Sequence, residues 1–317
     1  MDRIDLIKTT KAYQSVADDY HKQKLPHCNL LVSPDLMSRE LFATAFASLV
    51  ICDDKNNIAM QNIAKKIHPD VFFLPKSGNL KVEDVEVVLD RINYFPMEAD
   101  VKVFVLENFS SATTQAQNKL LKTLEETPPN VYFLICSEKD DGILPTIKSR
   151  CRHLELEPLS ESALNIFMAD YNTDEKTIEI ANFFGRGEMG RTDFALTNKE
   201  VSELVDLGFD ILKNCKSSAN LLEYAVKLLK HKDSLALFLQ IYSDILGKVL
   251  RLQILNEKND FVQLKFDSLK NELSTDAILI LLVRLTRLTE MLERACHSTL
   301  IIDDLLIETC KCANMKS

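Results

Sequence analysis

The residues with the clearest chemical meaning lie between an apolar run at 30–32 and a helical pattern at 39–50. A loop of pattern G-x-x-x-x-G-K-S/T at such a place cradles phosphates. Its glycines let backbone N–H groups approach, its lysine meets the β/γ-phosphates, and its hydroxyl meets Mg²⁺. Here the four positions hold Ser33, Ser38, Arg39 and Glu40. No glycine remains, and a carboxylate replaces the metal-binding hydroxyl, where it repels phosphate oxygens. The layout is that of a nucleotide site, and the chemistry is missing.

Metal and thiol chemistry find less support. Eight cysteines are scattered along the chain, and only Cys310 and Cys312 are closely spaced. A structural zinc site uses four ligands, in paired spacing, and no second pair or His-x₃-His accompanies these two. Buried or surface thiols in a reducing compartment are the expectation for all eight. No histidine base is placed beside Cys151, which is expected to be a small buried residue.

The elements that must position these residues divide in two. All nine prolines lie at or before Pro158. Before that point, apolar runs at 30–32, 71–74, 103–106 and 131–136, with a weaker one at 153–156, alternate with helical patterns at 39–50, 82–94 and 113–125. Such alternation predicts βαβ units and a parallel sheet covered on both faces. Ligands of such sheets sit at the carboxyl ends of the strands. After Pro158 the proline-free sequence predicts helices at 162–170, 174–184, 219–230, 234–255, 275–296 and 303–312, with a break at Gly185, Gly187 and Gly190. Ser274 to Asp276 form a ready helix start. The line Leu279, Leu282, Leu285 and Leu288 is expected to be core first, with part of it available to an interface.

Length and charge bound the function. At 317 residues the chain holds two or three domains. Its net charge of −9 argues against direct, generic nucleic-acid binding, which needs a basic field. The longest apolar run, 277–283, is far shorter than the ~20 residues that cross a bilayer, and the start of the chain has no apolar signal core. A cytoplasmic protein without membrane contact is expected.

The most specific segment is 101–151. It contains Asn118-Lys119-Leu120-Leu121-Lys122-Thr123-Leu124-Glu125-Glu126, then Pro128-Pro129, and later Leu144-Pro145-Thr146-Ile147-Lys148-Ser149-Arg150-Cys151. With His68-Pro69-Asp70, these motifs resemble those of bacterial DNA polymerase III clamp-loader subunits, a branch of the AAA+ ATPases. The resemblance runs from about residue 5 to 200. It implies an α/β AAA+ (RecA-like) parallel-sheet domain at 1–158, a small helical lid at 159–207, and an all-α collar for oligomerisation at 208–317.

The resemblance also assigns roles. In the family the strand at 103–106 ends in an acidic pair, one acid for Mg²⁺ and one for the attacking water. Here the pair is Glu107-Asn108, and a carboxamide cannot act as a base. Arg150, with Ser149 orienting its turn, resembles the arginine finger that reaches a γ-phosphate held by a neighbouring subunit. Ser137 matches a phosphate-sensing position, although a strand-end turn is the plainer reading. Arg191 falls near a phosphate-contacting lid position and is expected to be structural. Cys52 matches the first ligand of a family zinc module whose other cysteines are missing, so no metal is expected.

Together these imply a non-motor stator of a five-subunit ring, with no cofactor of its own. Its partners would be motor subunits of the gamma/tau type and the delta subunit, with the sliding clamp and primed DNA reached through the complex. Two rivals stand beside this reading. An AAA+ ATPase with an unusual P-loop would use Arg39 for lysine and Glu107 for the metal. A repair or recombination adaptor on the same fold would use Lys119, Lys122 and Lys148 as a small basic patch.

Overall fold

The computed structural model describes residues 2–255, 261, 264 and 266–314. The chain divides into two compact units, one of residues 1–170 and 187–190, the other of residues 171–186 and 191–317.

The first unit opens with helices α1 (Arg3–Lys8) and α2 (Lys11–His21), followed by strand β1 (Cys28–Val32) and helix α3 (Leu36–Cys52). Then come α4 (Asn57–Ala64), β2 (Val71–Leu74), α5 (Val82–Ile92), β3 (Lys102–Leu106) and α6 (Thr114–Glu125). It ends with β4 (Val131–Ser137), the short α7 (Pro145–Lys148), β5 (Arg152–Glu155) and α8 (Glu161–Met168). The five strands form one sheet in the order β2-β3-β4-β1-β5, and every pairing is parallel. The inner strands β1, β3 and β4 are almost wholly buried and read as apolar runs, whereas the edge strand β5, Arg-His-Leu-Glu with two exposed residues, gives only the weaker signal.

Packing follows the period of two along each strand. Phe104, Leu106, Phe133, Ile135, Cys28 and Leu30 share a core with Val85, Val88 and Ile92 of α5 and Leu120 and Leu124 of α6. Register aligns Phe72, Phe104 and Phe133 across three strands, and their rings stack at centroid distances of 4.9 and 5.3 Å. Register also aligns Asn29 with Arg152, so the residues just before them, Cys28 and Cys151, meet. Their Cα atoms are 4.8 Å apart and their sulfurs are joined as a disulfide. This corrects the expectation of eight thiols: six cysteines are free, and Cys151 is bonded to a residue 123 positions away.

The second unit is helical: α9 (Glu175–Gly185), most of α10 (Met189–Thr197), α11 (Lys199–Asn214), α12 (Ser218–Lys230), α13 (Leu235–Ile254), α14 (Phe266–Lys270), α15 (Thr275–Glu293) and α16 (Ser298–Ala313). Its core centres on α13, where Phe238, Tyr242, Ile245 and Val249 are fully buried. Helix α15 starts where expected, with the Ser274 hydroxyl accepting from the Ala277 N–H at 3.3 Å. Its buried line, however, is Ile278, Leu281, Leu285 and Leu288. Leu279 is half exposed and Leu282 only partly buried, so the helix is rotated from the expected stripe. Among the described residues no helix is long and apolar enough to cross a membrane.

Candidate functional site

The loop after β1 leads into the N-terminus of α3, and its own side chains occupy that helix end. Asp35 is the N-cap of α3, in extended backbone, and its carboxylate accepts the Ser38 N–H at 3.1 Å and the Ser38 hydroxyl. The same carboxylate accepts the Gly190 N–H at 3.0 and 3.2 Å. A helix N-terminus is an anion site because its first N–H groups lack partners and its dipole favours negative charge. Here the resident anion is Asp35, 6% exposed. Gly190 allows the approach, since a Cβ there would collide with the Asp35 carboxylate.

Arg39, where the lysine would stand, is 5% exposed. Its guanidinium turns back and donates to the Ser33 carbonyl. Ser33 is also consumed locally: its N–H donates to the Ser137 carbonyl at 3.0 Å, and its hydroxyl accepts the Asp35 N–H at 3.3 Å.

The acidic residues Glu40 and Glu107 are bridged by a cation from elsewhere in the chain. The Lys66 ammonium lies 3.5 Å from the Glu40 carboxylate and 3.2 Å from that of Glu107, over the ring of Phe73. It thus holds these two carboxylates together. Asn108 sits in left-handed backbone at φ 52° and starts a short turn, its carbonyl accepting the Ser111 N–H at 3.0 Å. Asparagine adopts that conformation more readily than most residues, so its identity also has a backbone reason. The surrounding cleft is about 620 Å³.

Two residues at this end of the sheet have plain roles. Ser137 is fully buried at the end of β4 and donates to the Lys139 carbonyl at 2.7 Å, a strand-end turn. Burial pushes the Cys136 thiol pKa up, and the nearby Glu107 carboxylate adds to this, so the sulfur stays protonated and unreactive.

Arg150 lies apart from these groups in its bonding. It follows α7, whose last turn is closed by Ser149, and the Ser149 hydroxyl donates to the Thr146 carbonyl at 3.1 Å. The Arg150 Nη1 donates to the same carbonyl at 2.7 Å and to the Ser149 hydroxyl at 3.4 Å, and Nη2 donates to the Glu125 carboxylate. One third of the Arg150 side chain remains exposed. The structure therefore gathers Ser33, Ser38, Arg39, Glu40 and Glu107 at one site and holds Ser149 and Arg150 on a separate turn.

Arg191, in the second unit, pairs with Asp244 at 2.8 Å and stacks over Phe184 at 4.5 Å. Among the described residues no group of three His, Cys, Asp or Glu side chains could hold a metal ion. Lys119 pairs with Glu86, and Lys148 lies 3.8 Å from Asp140, so two of the three patch lysines have acidic neighbours.

Sequence reasoning misses four residues. Asp35 carries a signal, an acidic residue directly before a helical pattern. Lys66 carries none, because a left-handed residue at φ 57° between α4 and β2 brings it to the site. Asp70, 1% exposed, stands out only within a motif; its carboxylate accepts the N–H groups of Met97, Glu98 and Ala99 at 2.6, 2.7 and 2.9 Å. That brace fixes a loop on which Tyr94, Phe95 and Met97 stand exposed. Glu125 belongs to a signature that gives it no role.

Residues 8–160 match the sequence model of the family described as "DNA polymerase III, delta subunit". The chain is 26% identical over 189 residues to the DNA polymerase III subunit gamma of Buchnera aphidicola from Schizaphis graminum, covering 56% of this chain and 52% of that one. It is 32% identical over 106 residues to the subunit tau/gamma of Haemophilus influenzae, covering 33% and 15%. At most about half the length of these relatives is spanned. Among solved structures, a DNA polymerase III gamma subunit-related protein of Thermotoga maritima aligns over 99% of this chain and 100% of that one, with 15% identity and a TM-score of 0.47. The RuvB Holliday junction branch migration motor of the same organism aligns over 86% and 89%, with 12% identity and a TM-score of 0.40. The matched segment contains the whole parallel sheet and both signature motifs, and on that ground residues 8–160 are those of a clamp-loader member of the AAA+ proteins.

Proposed function

We propose that this chain is a delta-prime subunit of a bacterial DNA polymerase III clamp loader, a stator that hydrolyses no ATP and completes the ATP site of a neighbouring motor subunit. The observation that carries this reading is the contrast between two sites. The chain's own phosphate loop is filled by Asp35 and Arg39, with Lys66 between Glu40 and Glu107. Arg150 is held on a separate, solvent-facing turn.

A guanidinium is permanently charged and offers planar donors to the charge that develops on a transferred phosphoryl. Delivered in trans, such a group is worth ~10³–10⁵ in rate. Arg150 would supply it and Ser149 would hold its turn. The partners are gamma/tau-type motor subunits and the delta subunit, with the sliding clamp and primed DNA engaged through the ring. Within the chain, 1–158 serves as the AAA+ domain, 159–207 as the lid and 208–317 as the collar.

The test is ATP turnover by the reconstituted loader with clamp and primed DNA, comparing wild type with Arg150→Ala. A sharp fall in stimulated turnover within an intact ring is expected. Unchanged turnover in an intact ring overturns the finger. ATP turnover by the isolated chain overturns the stator and favours an ATPase with an unusual P-loop.

A further inference from the structure

Glu125 sits where a carboxylate is unfavourable. It is the last residue of α6, beside a helix C-terminus whose unpaired carbonyls carry partial negative charge. Glu126 follows it directly. An acid at that position destabilises a helix modestly, and a half-exposed ion pair returns a similar amount. Stability therefore gives no strong reason for the Glu125–Arg150 pair, and its geometry gives a functional one.

Arg150 has five N–H donors. Its three bonds, to Thr146, Ser149 and Glu125, are all made within its own chain and fix the plane of the guanidinium. Two donors remain, enough for one bidentate contact with an external oxyanion. The other end of α6 fixes the same turn from below. Gln117, 1% exposed, donates to the Ala112 and Gly142 carbonyls at 3.2 and 2.7 Å and accepts the Leu144 N–H at 2.9 Å. Leu144 is the residue that caps α7. Helix α6 thus acts as a ruler of about 12 Å from Gln117 to Glu125, at ~1.5 Å per residue. One end sets where the turn begins and the other sets where the guanidinium points.

We infer that Glu125 is the positioning residue for Arg150, holding its guanidinium ready for a phosphate presented by the neighbouring subunit. This rests on the stator reading. Glu125 touches no substrate and acts only through Arg150. Its removal leaves the charge of the finger intact and frees its direction, and a misplacement near 1 Å can cost as much as ~10² in rate. Because Thr146 and Ser149 still hold Nη1, a smaller loss is expected.

The experiment uses the reconstituted loader with clamp and primed DNA, and four forms of this chain: wild type, Glu125→Gln, Arg150→Ala and the double variant. Ring assembly and thermal melts are checked for each. Glu125→Gln is expected to lower kcat about three- to tenfold with the KM for ATP unchanged, and to add nothing on the Arg150→Ala background. An equal loss on both backgrounds means that Glu125 acts on assembly, which overturns the inference. Unchanged kcat for Glu125→Gln beside a large loss for Arg150→Ala overturns the inference and leaves the stator reading intact. No loss for Arg150→Ala in an intact ring overturns both.

Discussion

Replacing Asp35 by alanine removes the anion that fills the N-terminus of α3. The cap to the Ser38 N–H is lost, which costs about 1 kcal/mol in comparable helices. The Gly190 N–H loses a charged acceptor in a part-buried setting, and an amide left unpaired costs roughly 1–3 kcal/mol. Together these destabilise the first unit by about 2–4 kcal/mol, or a fall in Tm of roughly 4–16 °C for a domain of this size. Asparagine in place of Asp35 would keep the cap, since the two residues cap equally well, so Asp35→Asn is expected to lose less than about 1 kcal/mol. Urea unfolding followed by circular dichroism separates the three forms. A functional anion-binding loop behaves the other way, because sites kept for a ligand gain stability when their repulsive groups are removed. An Asp35→Ala protein within about 0.5 kcal/mol of wild type, or more stable than it, would refute the claim that Asp35 is a structural occupant.

Other outcomes test neighbouring parts. Gly142 has φ +85°, and a Cβ there would lie 2.5 Å from the Ser110 carbonyl, so Gly142→Ala is expected to cost about 1–3 kcal/mol in chemical unfolding; an unchanged midpoint counts against the strained turn. The Cys28–Cys151 bond closes a loop of 123 residues, so reductant should lower unfolding stability by up to about 5 kcal/mol. Alkylation of the denatured, unreduced chain should label six cysteines, and labelling of all eight sinks the assignment. In the second unit, hydrogen bonds from His231 and then Ser234 hold the Glu200 carboxyl below the usual range. A lowered folded-state pKa gives stability that is present above the unfolded value, near 4.5, and is lost as pH falls through the folded one. Glu200→Gln should therefore be less stable at neutral pH and converge with wild type in acid; a pH-independent difference speaks against this linkage.

The inner strands are legible because they are buried parallel strands written as apolar runs, whereas the edge strand β5 shows only Leu154 buried and reads weakly. Helix ends are also less legible. Helix α3 begins at Leu36, three residues before its expected start, because its cap is Asp35 rather than a residue of the apolar pattern. Helix α11 has no counterpart among the expected helices; Gly208 lies inside it, and a Cβ there would lie 2.9 Å from the Ile245 Cδ1. A glycine that admits a neighbouring side chain and one that ends a helix look alike in sequence. The same limit governs the site. Ser33, Ser38, Arg39, Glu40 and Glu107 can be named from motif spacing. Lys66 and the Cys28–Cys151 pair depend on contacts made only when the sheet is assembled.

The order of the sheet has a consequence for how the chain is made. Strand β1 leaves the ribosome early, yet its two neighbours are β4 and β5, with Cys28 opposite Phe133 and Asn29 opposite Arg152. During synthesis both of its edges stay open until β4 has emerged, and the edge that β5 fills stays open until residue 155, and unpaired apolar edges invite pairing with other chains. Before β4 emerges, only β2 and β3 can pair. Closure of the sheet around β1 then comes late, from distant contacts of the kind that slow folding. The turn that carries Arg150 lies between β4 and β5, so it takes its shape in the same final step that completes the sheet.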